Sequence, residues 1–269
     1  MKEITRKENK EIRIFEFNSL NEFYNYICET PFNDAFRFQE HESVNGSESF
    51  TGTSSFEEAV DLFKYGWKDG SKKLTKRLNA KQKAMQPIMK AKNKRSVAGY
   101  QVIVPSYLSG DPMSMINKKM VPVKQKVITL NKTIAYPCKV TKDEIEEESI
   151  KAFQLIKKVE AQGMRVNLNI VSGFDVPDMR IIVKIKVKNS TEKLNISKLA
   201  FPLVHPSMLR RLLFRFLEVV PKASKKYVYF YGSPVYANAI KKYTKENEYV
   251  LPEKINEVDK INCLEDLKK

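Results

Sequence analysis

The stretch "VITLNKTIAYPCKVTKDEIEEESIKAFQLIKKVEAQGMRVNLNI", residues 127–170, decides the fold. Both of its ends carry the apolar runs typical of buried strands, and its middle has apolar residues at helical spacing. Thr141 and Glu144 form a capping box, lysines crowd the last turns, and Gly163 ends the pattern. The stretch therefore predicts a strand–helix–strand unit, for which parallel strands and a right-handed crossover are the default.

The alternation of strand and helix continues on both sides of this unit. Apolar patterns predict strands at 11–19, 102–104, 178–189 and 225–232, and helices at 20–30, 56–66, 205–221 and 235–245. Such alternation is typical of an α/β fold with helices on both faces of a sheet. We therefore expect a three-layer, Rossmann-like α/β domain at 100–245, an N-terminal α/β extension at 1–99, and a mobile charged tail at 246–269.

Composition favours anionic partners. The chain has 269 residues, a formal net charge of +16 and an isoelectric point near 9.5. Three scattered cysteines and two histidines predict neither a disulfide framework nor a zinc site, so no cofactor is expected. No run of 18 apolar residues and no secretory leader are present, which indicates a reduced cytoplasmic protein that does not enter a membrane.

The positive charge is concentrated in residues 66–100, which hold eleven lysines and arginines and one acid, Asp69. Codon bias could raise the lysine content of the whole chain, but it does not explain the local exclusion of acids. Leu74, Leu78 and Met85 follow helical spacing, and Pro87 should interrupt the helix. We therefore expect two short basic helices in this stretch.

This basic stretch is the predicted functional site. Lysines and arginines without neighbouring acids suit sequence-independent contact with phosphate backbones, in DNA or in RNA. The same charge would also suit an acidic protein partner, and both interpretations stay open. The candidate residues are Lys72, Lys73, Lys76, Arg77, Lys81, Lys83, Lys90, Lys92, Lys94 and Arg95, with Arg210, Arg211 and Arg215 of the 205–221 helix as helpers.

Other motifs favour structural roles. The chain contains no phosphate-binding GxxxxGK[ST] or GxGxxG motif and no small-molecule site is evident. His205 stands directly before a helix, where a partly buried structural role is favoured over that of a general base. Glu146, Glu147 and Glu148 lie at the positive end of a helix dipole, which accounts for them without catalysis. The strand that contains Tyr227, Tyr229 and Tyr231 is expected to be buried between helix layers. An exposed face that stacks bases is the less favoured interpretation. We expect no enzymatic activity.

Two resemblances extend this interpretation. The Phe-Glu-Glu-Ala helix from Phe56, the Val-Pro-x-Tyr-Leu-x-Gly-x-Pro turn at 104–112, and the His-Pro-Ser-Met sequence at 205–208 resemble a family of bacteriophage and plasmid proteins of unknown function. The strand–helix–strand core is similar to von Willebrand factor A-type domains, which bind a divalent metal through Asp-x-Ser-x-Ser. The corresponding residues here begin at Asn131 and Lys132, so this resemblance implies a core without the metal motif. It implies a protein-interaction platform: an adaptor for an AAA+ ATPase, or a phage assembly or virion component.

Overall fold

The computed structural model describes residues 1–33, 41–79, 89–122, 126–137, 139–175, 179–221, 231 and 233–251. Helices in these ranges are α1 (Leu20–Glu29), α2 (Glu42–Asn45), α3 (Glu48–Thr51), α4 (Phe56–Tyr65), α5 (Lys68–Asn79), α6 (Val104–Leu108), α7 (Lys142–Ala161), α8 (Ile196–Val204), a π-helical turn (Met208–Leu213) that continues as α9 (Phe214–Val219), and α10 (Ala237–Lys241). Strands are β1 (Lys2–Lys7), β2 (Glu11–Phe17), β3 (Met89–Ser96), β4 (Gln101–Val102), β5 (Met115–Pro122), β6 (Val127–Thr133), β7 (Arg165–Asp175), β8 (Met179–Lys188), β9 (Ser233–Pro234) and β10 (Glu248–Leu251).

The main sheet is mixed and has seven strands in the order β1-β2-β8-β7-β6-β10, with β9 paired to β7. β6 and β7 are parallel, as the strand–helix–strand pattern predicts, and α7 connects them. β8 returns antiparallel to β7, and β2 is parallel to β8. The predicted α/β class is therefore confirmed as a mixed sheet flanked by helices.

Apolar side chains cover the sheet on both faces. The larger cluster contains Phe15, Phe17 and Leu168, and packs against α1, α7, α8 and the π-turn–α9 helix. The smaller cluster contains Ile12, Ile14 and Ile182, and packs against the 235–243 segment. Alternation along β2 sends Phe15 and Ile14 to opposite clusters because successive side chains of a strand point to opposite faces.

Helix starts follow the sequence closely. The Ser19 hydroxyl accepts a hydrogen bond from Glu22 N, and the Ser55 hydroxyl accepts one from Glu58 N, each at 3.1 Å. Thr141 and Glu144 complete both bonds of the predicted capping box. Each bond satisfies an amide that the first helical turn leaves without an intrahelical partner, so helix boundaries here were readable from local chemistry.

The structure corrects three predictions. Residues 89–96 form strand β3 rather than a second basic helix. The predicted strand at 102–104 is only Gln101–Val102, because Pro105 takes an early position in α6, where its missing amide is tolerated. The predicted mobile tail begins instead with a turn and with β10, which pairs with β6; residues 252–269 lie outside the described residues.

The chain does not divide between sheets at residue 99. β1 and β2, expected in an N-terminal extension, are strands of the main sheet. β3, β4 and β5 form a separate three-stranded sheet in the order β3-β5-β4. We call residues 89–122 the basic sheet, since they contain six lysines and arginines and one acid, Asp111.

Candidate nucleic-acid interface

The first half of the basic stretch is the amphipathic helix α5. Leu74 and Leu78 are buried in the main core, as their spacing predicts. The opposite side of α5 is exposed and carries its lysines and Arg77. Burial of one apolar stripe therefore fixes which side of α5 presents its charge to solvent.

Two of the candidate cations on α5 are neutralised by α7. Lys73 Nζ and Arg77 Nη1 each donate to the carboxylate of Glu146, both at 2.8 Å. Burial alone would raise the pKa of Glu146, but the bonds from the two cations outweigh it and hold that pKa below its ordinary value. Glu146 was expected only to stabilise its own helix dipole, and it also clamps α5 to α7.

A row of three lysines remains on α5. Lys68, Lys72 and Lys76 are exposed and spaced by four residues, so they follow one another along a single side of the helix. Within the described ranges no carboxylate forms an ion pair with any of them. Like charges at this spacing repel each other by a few tenths of a kcal/mol, and a bound anion would relieve that repulsion.

The basic sheet presents cations on both of its faces. In the antiparallel register Lys92 lies opposite Lys119, and Asn93 lies opposite Lys118. Because directly opposed residues share a face and successive residues alternate, Lys92, Lys94 and Lys119 lie on one face. Arg95 and Lys118 lie on the other. Lys90 belongs to β3, but its side chain is outside the described atoms.

Both faces of the basic sheet are largely open to solvent over residues 92–119, whose side chains are described. Among the described side chains of residues 92–119, Ser114 alone is buried. A small sheet normally needs an apolar face packed on a core for stability. The direct opposition of Lys92 and Lys119 is a further unfavourable term. The arrangement leaves positive charge where a polyanion can reach it.

The acid of the basic sheet neutralises little of this charge. Oδ2 of Asp111 lies 3.7 Å from Nη1 of Arg95 in an ion pair near the surface. Exposed pairs of this kind are weak. In the described part of the sheet, Lys92, Lys94 and Lys119 have no carboxylate partner. Within the described ranges their face, like the lysine row of α5, therefore carries charge that no carboxylate neutralises.

An aromatic ring lies on the opposite face of the basic sheet, beside Lys118. Tyr100 is 53% exposed, and its hydroxyl donates a 3.1 Å hydrogen bond to Oδ1 of Asn93. Lys118 Nζ lies 4.9 Å from the ring centroid, a cation–π distance. The ring is held on the Asn93–Lys118 face of the sheet and remains open to solvent.

Next to the basic sheet, α6 forms an exposed apolar knob. Val104, Tyr107 and Leu108 are all exposed, with Leu108 at 79%. Gly110 follows in the left-handed region at φ 75°, with open space around it. These residues belong to the Val-Pro-x-Tyr-Leu-x-Gly-x-Pro turn, so that motif lies on the surface rather than in the core.

The arginines predicted as helpers do not lie on the surface. Arg211 is fully buried and donates to the carbonyl oxygens of Ser43, Val44, Gly46 and Thr53 and to the Thr53 hydroxyl. These bonds hold the 43–53 loop on the π-helical turn. Arg211 is therefore corrected from a binding residue to a structural one.

Its two neighbours are also structural. Arg210 is buried and donates to the carbonyls of Phe50 (2.7 Å) and Val140 (3.2 Å). Arg215 stacks on Phe32, 3.7 Å from the ring centroid, and lies 3.7 Å from the buried Glu218. The arginines were predicted to be exposed because they lie on the polar side of the helix. The 43–53 segment packs over that side and buries the first two of them, which the helical pattern alone does not show.

Lys132 occupies a buried site in β6. Its Nζ donates to the Thr133 carbonyl (2.8 Å), the Tyr136 hydroxyl (2.9 Å) and the Glu148 carboxylate. Burial opposes charge on Lys132, but the oxygens of Tyr136 and Glu148 outweigh it and raise the pKa of the lysine. All three ammonium protons are thus satisfied. Its charge is held by these oxygens.

His205 is a buried structural residue. Its Nδ1 accepts a hydrogen bond from Ser207 N at 3.2 Å, and its ring stacks on Phe201. Burial, reinforced by the charge of Lys142, lowers its pKa from 6.5 to about 4. The neutral imidazole is therefore the stable form in the folded protein at neutral pH.

Several candidates fall outside the described residues, namely Lys81, Lys83, Tyr227 and Tyr229. Tyr231 is described, and its hydroxyl donates to Glu218 at 2.6 Å. Across the described ranges, histidine, cysteine and carboxylate side chains form no group of three able to hold a metal ion. In the same ranges, no helix combines the length and the apolar character that a bilayer crossing requires.

Comparison with known proteins identifies one family. The sequence matches the family described as "Domain of unknown function (DUF7192)" over residues 5–269. The chain belongs to this family. Comparisons with curated proteins and with solved structures gave no match.

Sequence reasoning missed three members of the site in this DUF7192 chain. Lys118, Lys119 and Tyr100 join Lys92, Lys94 and Arg95 only through strand pairing. Residues 115–122 do not alternate apolar and polar side chains, so the sequence carries no clear strand signal there. Assigning residues 89–96 to a helix hid the pairing that brings them together.

Proposed function

We propose that the protein is a non-enzymatic nucleic-acid-binding protein that contacts phosphates without regard to sequence. The contacts come from the uncovered lysine face of the basic sheet, Lys92, Lys94 and Lys119, and from the lysine row of α5. Lysines are flexible point charges that suit such contacts, and binding releases the counterions condensed on the polyanion.

One observation carries this proposal. Lys92 and Lys119 are directly opposed on an exposed face without a carboxylate partner among the described residues. Like charges directly opposite destabilise a strand pair. A phosphate backbone lying over this face would turn that repulsion into attraction.

The test is the salt dependence of binding. Fluorescence anisotropy with random-sequence DNA and RNA should give a linear fall of log K with log salt. If about five cations contact phosphates, the slope is about −4.5 for duplex DNA and about −3.5 for single strands. A Lys92→Glu/Lys94→Glu/Lys119→Glu variant should reduce the magnitude of the slope by about 2–3.

The matched control is Lys193→Glu/Lys242→Glu/Lys245→Glu, which changes the net charge by the same amount. These three lysines are exposed outside the candidate site, so the control tests whether net charge alone is responsible. Binding that does not depend on salt, or equal losses in the two variants, would contradict the proposal.

A second candidate function is a protein-interaction platform, and the exposed α6 knob favours it. Val104, Tyr107 and Leu108 are apolar side chains whose burial against a partner would be favourable. Such a platform would be a von Willebrand factor A-like adaptor for an AAA+ ATPase, or a phage assembly or virion component. The β6–α7–β7 unit, on which that likeness rests, supports it at the level of fold only.

Purification separates the two candidates. The platform would be favoured by a stoichiometric protein partner that is lost in the Leu108→Glu variant. The ratio of absorbance at 260 and 280 nm should then show no nucleic acid. Co-purifying nucleic acid that is removed by salt would favour the first proposal. A phage or plasmid origin and a cytoplasmic location belong to both proposals. The neighbouring genes test the origin, and cell fractionation tests the location.

A further inference from the structure

Tyr100 gives the basic sheet a feature that charge alone does not require. Its ring is exposed, yet two contacts fix it: the hydrogen bond to Asn93 and the approach of Lys118. A ring already held in place loses less conformational freedom on binding than a free side chain does. It is therefore a prepared apolar surface within a cationic one.

We infer that the basic sheet takes single-stranded nucleic acid in preference to duplex, with an unpaired base stacked on Tyr100. This inference rests on the proposed function. Lys118 and Arg95 lie on the same face of the sheet as Tyr100, opposite to Lys92, Lys94 and Lys119, and contact the phosphates that flank the stacked base. The stacking contact adds affinity that no phosphate contact supplies.

Stacking distinguishes strand states because base pairs hide the base faces. In a duplex each base is stacked on its neighbours, whereas an unpaired base can lie on an aromatic ring. Every base has an aromatic face, so the contact keeps the sequence tolerance of the proposed function.

Position also favours Tyr100 over other exposed tyrosines. Tyr65 is 76% exposed on α4 but does not belong to the basic sheet. Tyr107 is 64% exposed on α6 and offers a second ring within residues 89–122. Tyr100 differs from both because Lys118 of the basic sheet lies over its ring.

The experiment compares three ligands by anisotropy or competition at two salt concentrations: a dT 20-mer, a 20-base-pair duplex of mixed sequence, and inorganic polyphosphate. Tyr100→Leu should weaken binding of the single strand by about tenfold. It should leave the duplex and the base-free polyphosphate within twofold. Tyr100→Phe keeps the ring but loses the hydrogen bond to Asn93, so it should weaken single-strand binding by about twofold, far less than Tyr100→Leu. Tyr65→Leu is the matched control.

Folding of the sheet must be checked independently. Tyr100→Leu should retain the wild-type pattern of limited trypsin cleavage at the lysines of the basic sheet, and its unchanged affinity for polyphosphate is a second check. If Tyr100→Leu disrupts the sheet, the comparison passes to Tyr100→Phe and Tyr100→Ser, which must then differ on the single strand alone.

The outcomes separate the two levels of proposal. Salt-dependent binding of all three ligands, unaffected by Tyr100 variants, overturns the stacking inference and leaves the proposed function standing. Equal losses for single strand and duplex overturn the preference. Absence of binding to every ligand overturns both and favours a protein partner.

Discussion

Cations in the main sheet and cations in the basic sheet have opposite surroundings. Lys132, Lys184 and Lys188 are buried, and each has a carboxylate partner: Glu148, Glu248 and Glu160. Lys92, Lys94 and Lys119 are exposed without such a partner in the described chain. The same residue type therefore stabilises the fold in one sheet and remains free to bind in the other, and proximity of an acid decides which.

The largest test of this difference removes an acid from the buried set. Glu148→Leu leaves the ammonium of Lys132 buried without its charge partner, which should lower the free energy of unfolding by about 3–5 kcal/mol. Urea denaturation measures this change.

The double variant Lys132→Met/Glu148→Leu is the control for that measurement. It removes both charges and should recover most of the loss, since well-packed apolar pairs often replace buried ion pairs without penalty. A single variant as stable as the wild type would mean that the pair contributes nothing to the main sheet.

A second test of the buried region is the pH dependence of stability. The pKa of His205 is about 4 in the folded protein and 6.5 in the unfolded chain, so the unfolded chain binds the proton first as pH falls. Its contribution is complete above pH 6.5 and is lost as the pH falls towards 4. The expected loss is about 2 kcal/mol by pH 5 and about 3 kcal/mol by pH 4.

His205→Gln isolates this contribution because glutamine does not titrate. Its free energy of unfolding should stay nearly constant between pH 6.5 and 5, where the wild type loses stability. Glu58, Glu146 and Asp175, whose pKa values are lowered, act at lower pH. Parallel curves for the two proteins would show that His205 is not the titrating group.

The main sheet was largely predictable from sequence because its signals are local. Thr141 and Gly163 bound α7, and period-two apolar residues mark β8. The basic sheet was not predictable, because apolar and polar residues in 89–96 follow neither the helical period of 3.6 nor the strand period of two. The strand forms by pairing with β5. Charge predicted that this stretch matters, while pairing decides which side chains share a face.

Burial of Arg211 and pairing of Lys73 and Arg77 were not predictable for a related reason. Their partners are the 43–53 loop and Glu146, which are distant in sequence. A single sequence without co-variation carries no signal for such tertiary contacts. The charge pattern therefore predicted more candidate binding residues than the fold leaves exposed and unpaired.

A third test moves the boundary between the two kinds of cation. Glu146→Gln removes the charge that holds Lys73 and Arg77, whose side chains are 59% and 46% exposed. If α5 contributes to binding, removing this charge should raise nucleic-acid affinity by about 1 kcal/mol, about fivefold. The salt slope should become steeper by about 1–2.

Glu144→Gln is the matched control for this variant. It removes the same charge two residues away on α7, where the carboxylate contacts Thr141 rather than α5. An affinity unchanged in Glu146→Gln, or raised equally in both variants, would exclude α5 from the interface and leave the basic sheet alone.

The smallest expected effect concerns the stability of the basic sheet itself. Lys119→Glu converts the directly opposed Lys92–Lys119 pair into an opposite-charge pair, which should stabilise the sheet by about 0.2–1 kcal/mol. Slower hydrogen exchange of the β3 and β5 amides measures the gain, while anisotropy should show weaker nucleic-acid binding. The two effects have opposite signs because the same repulsion that destabilises the free sheet favours the anion.

The cycle with Lys92→Glu completes that test. Each single variant should slow exchange, and the double variant Lys92→Glu/Lys119→Glu should return to the wild-type exchange rate, because two glutamates repel as two lysines do. Its nucleic-acid affinity should nevertheless be the lowest of the four proteins. If stability and affinity instead fell together along the cycle, the lysines would act by supporting the sheet and not by contacting phosphate.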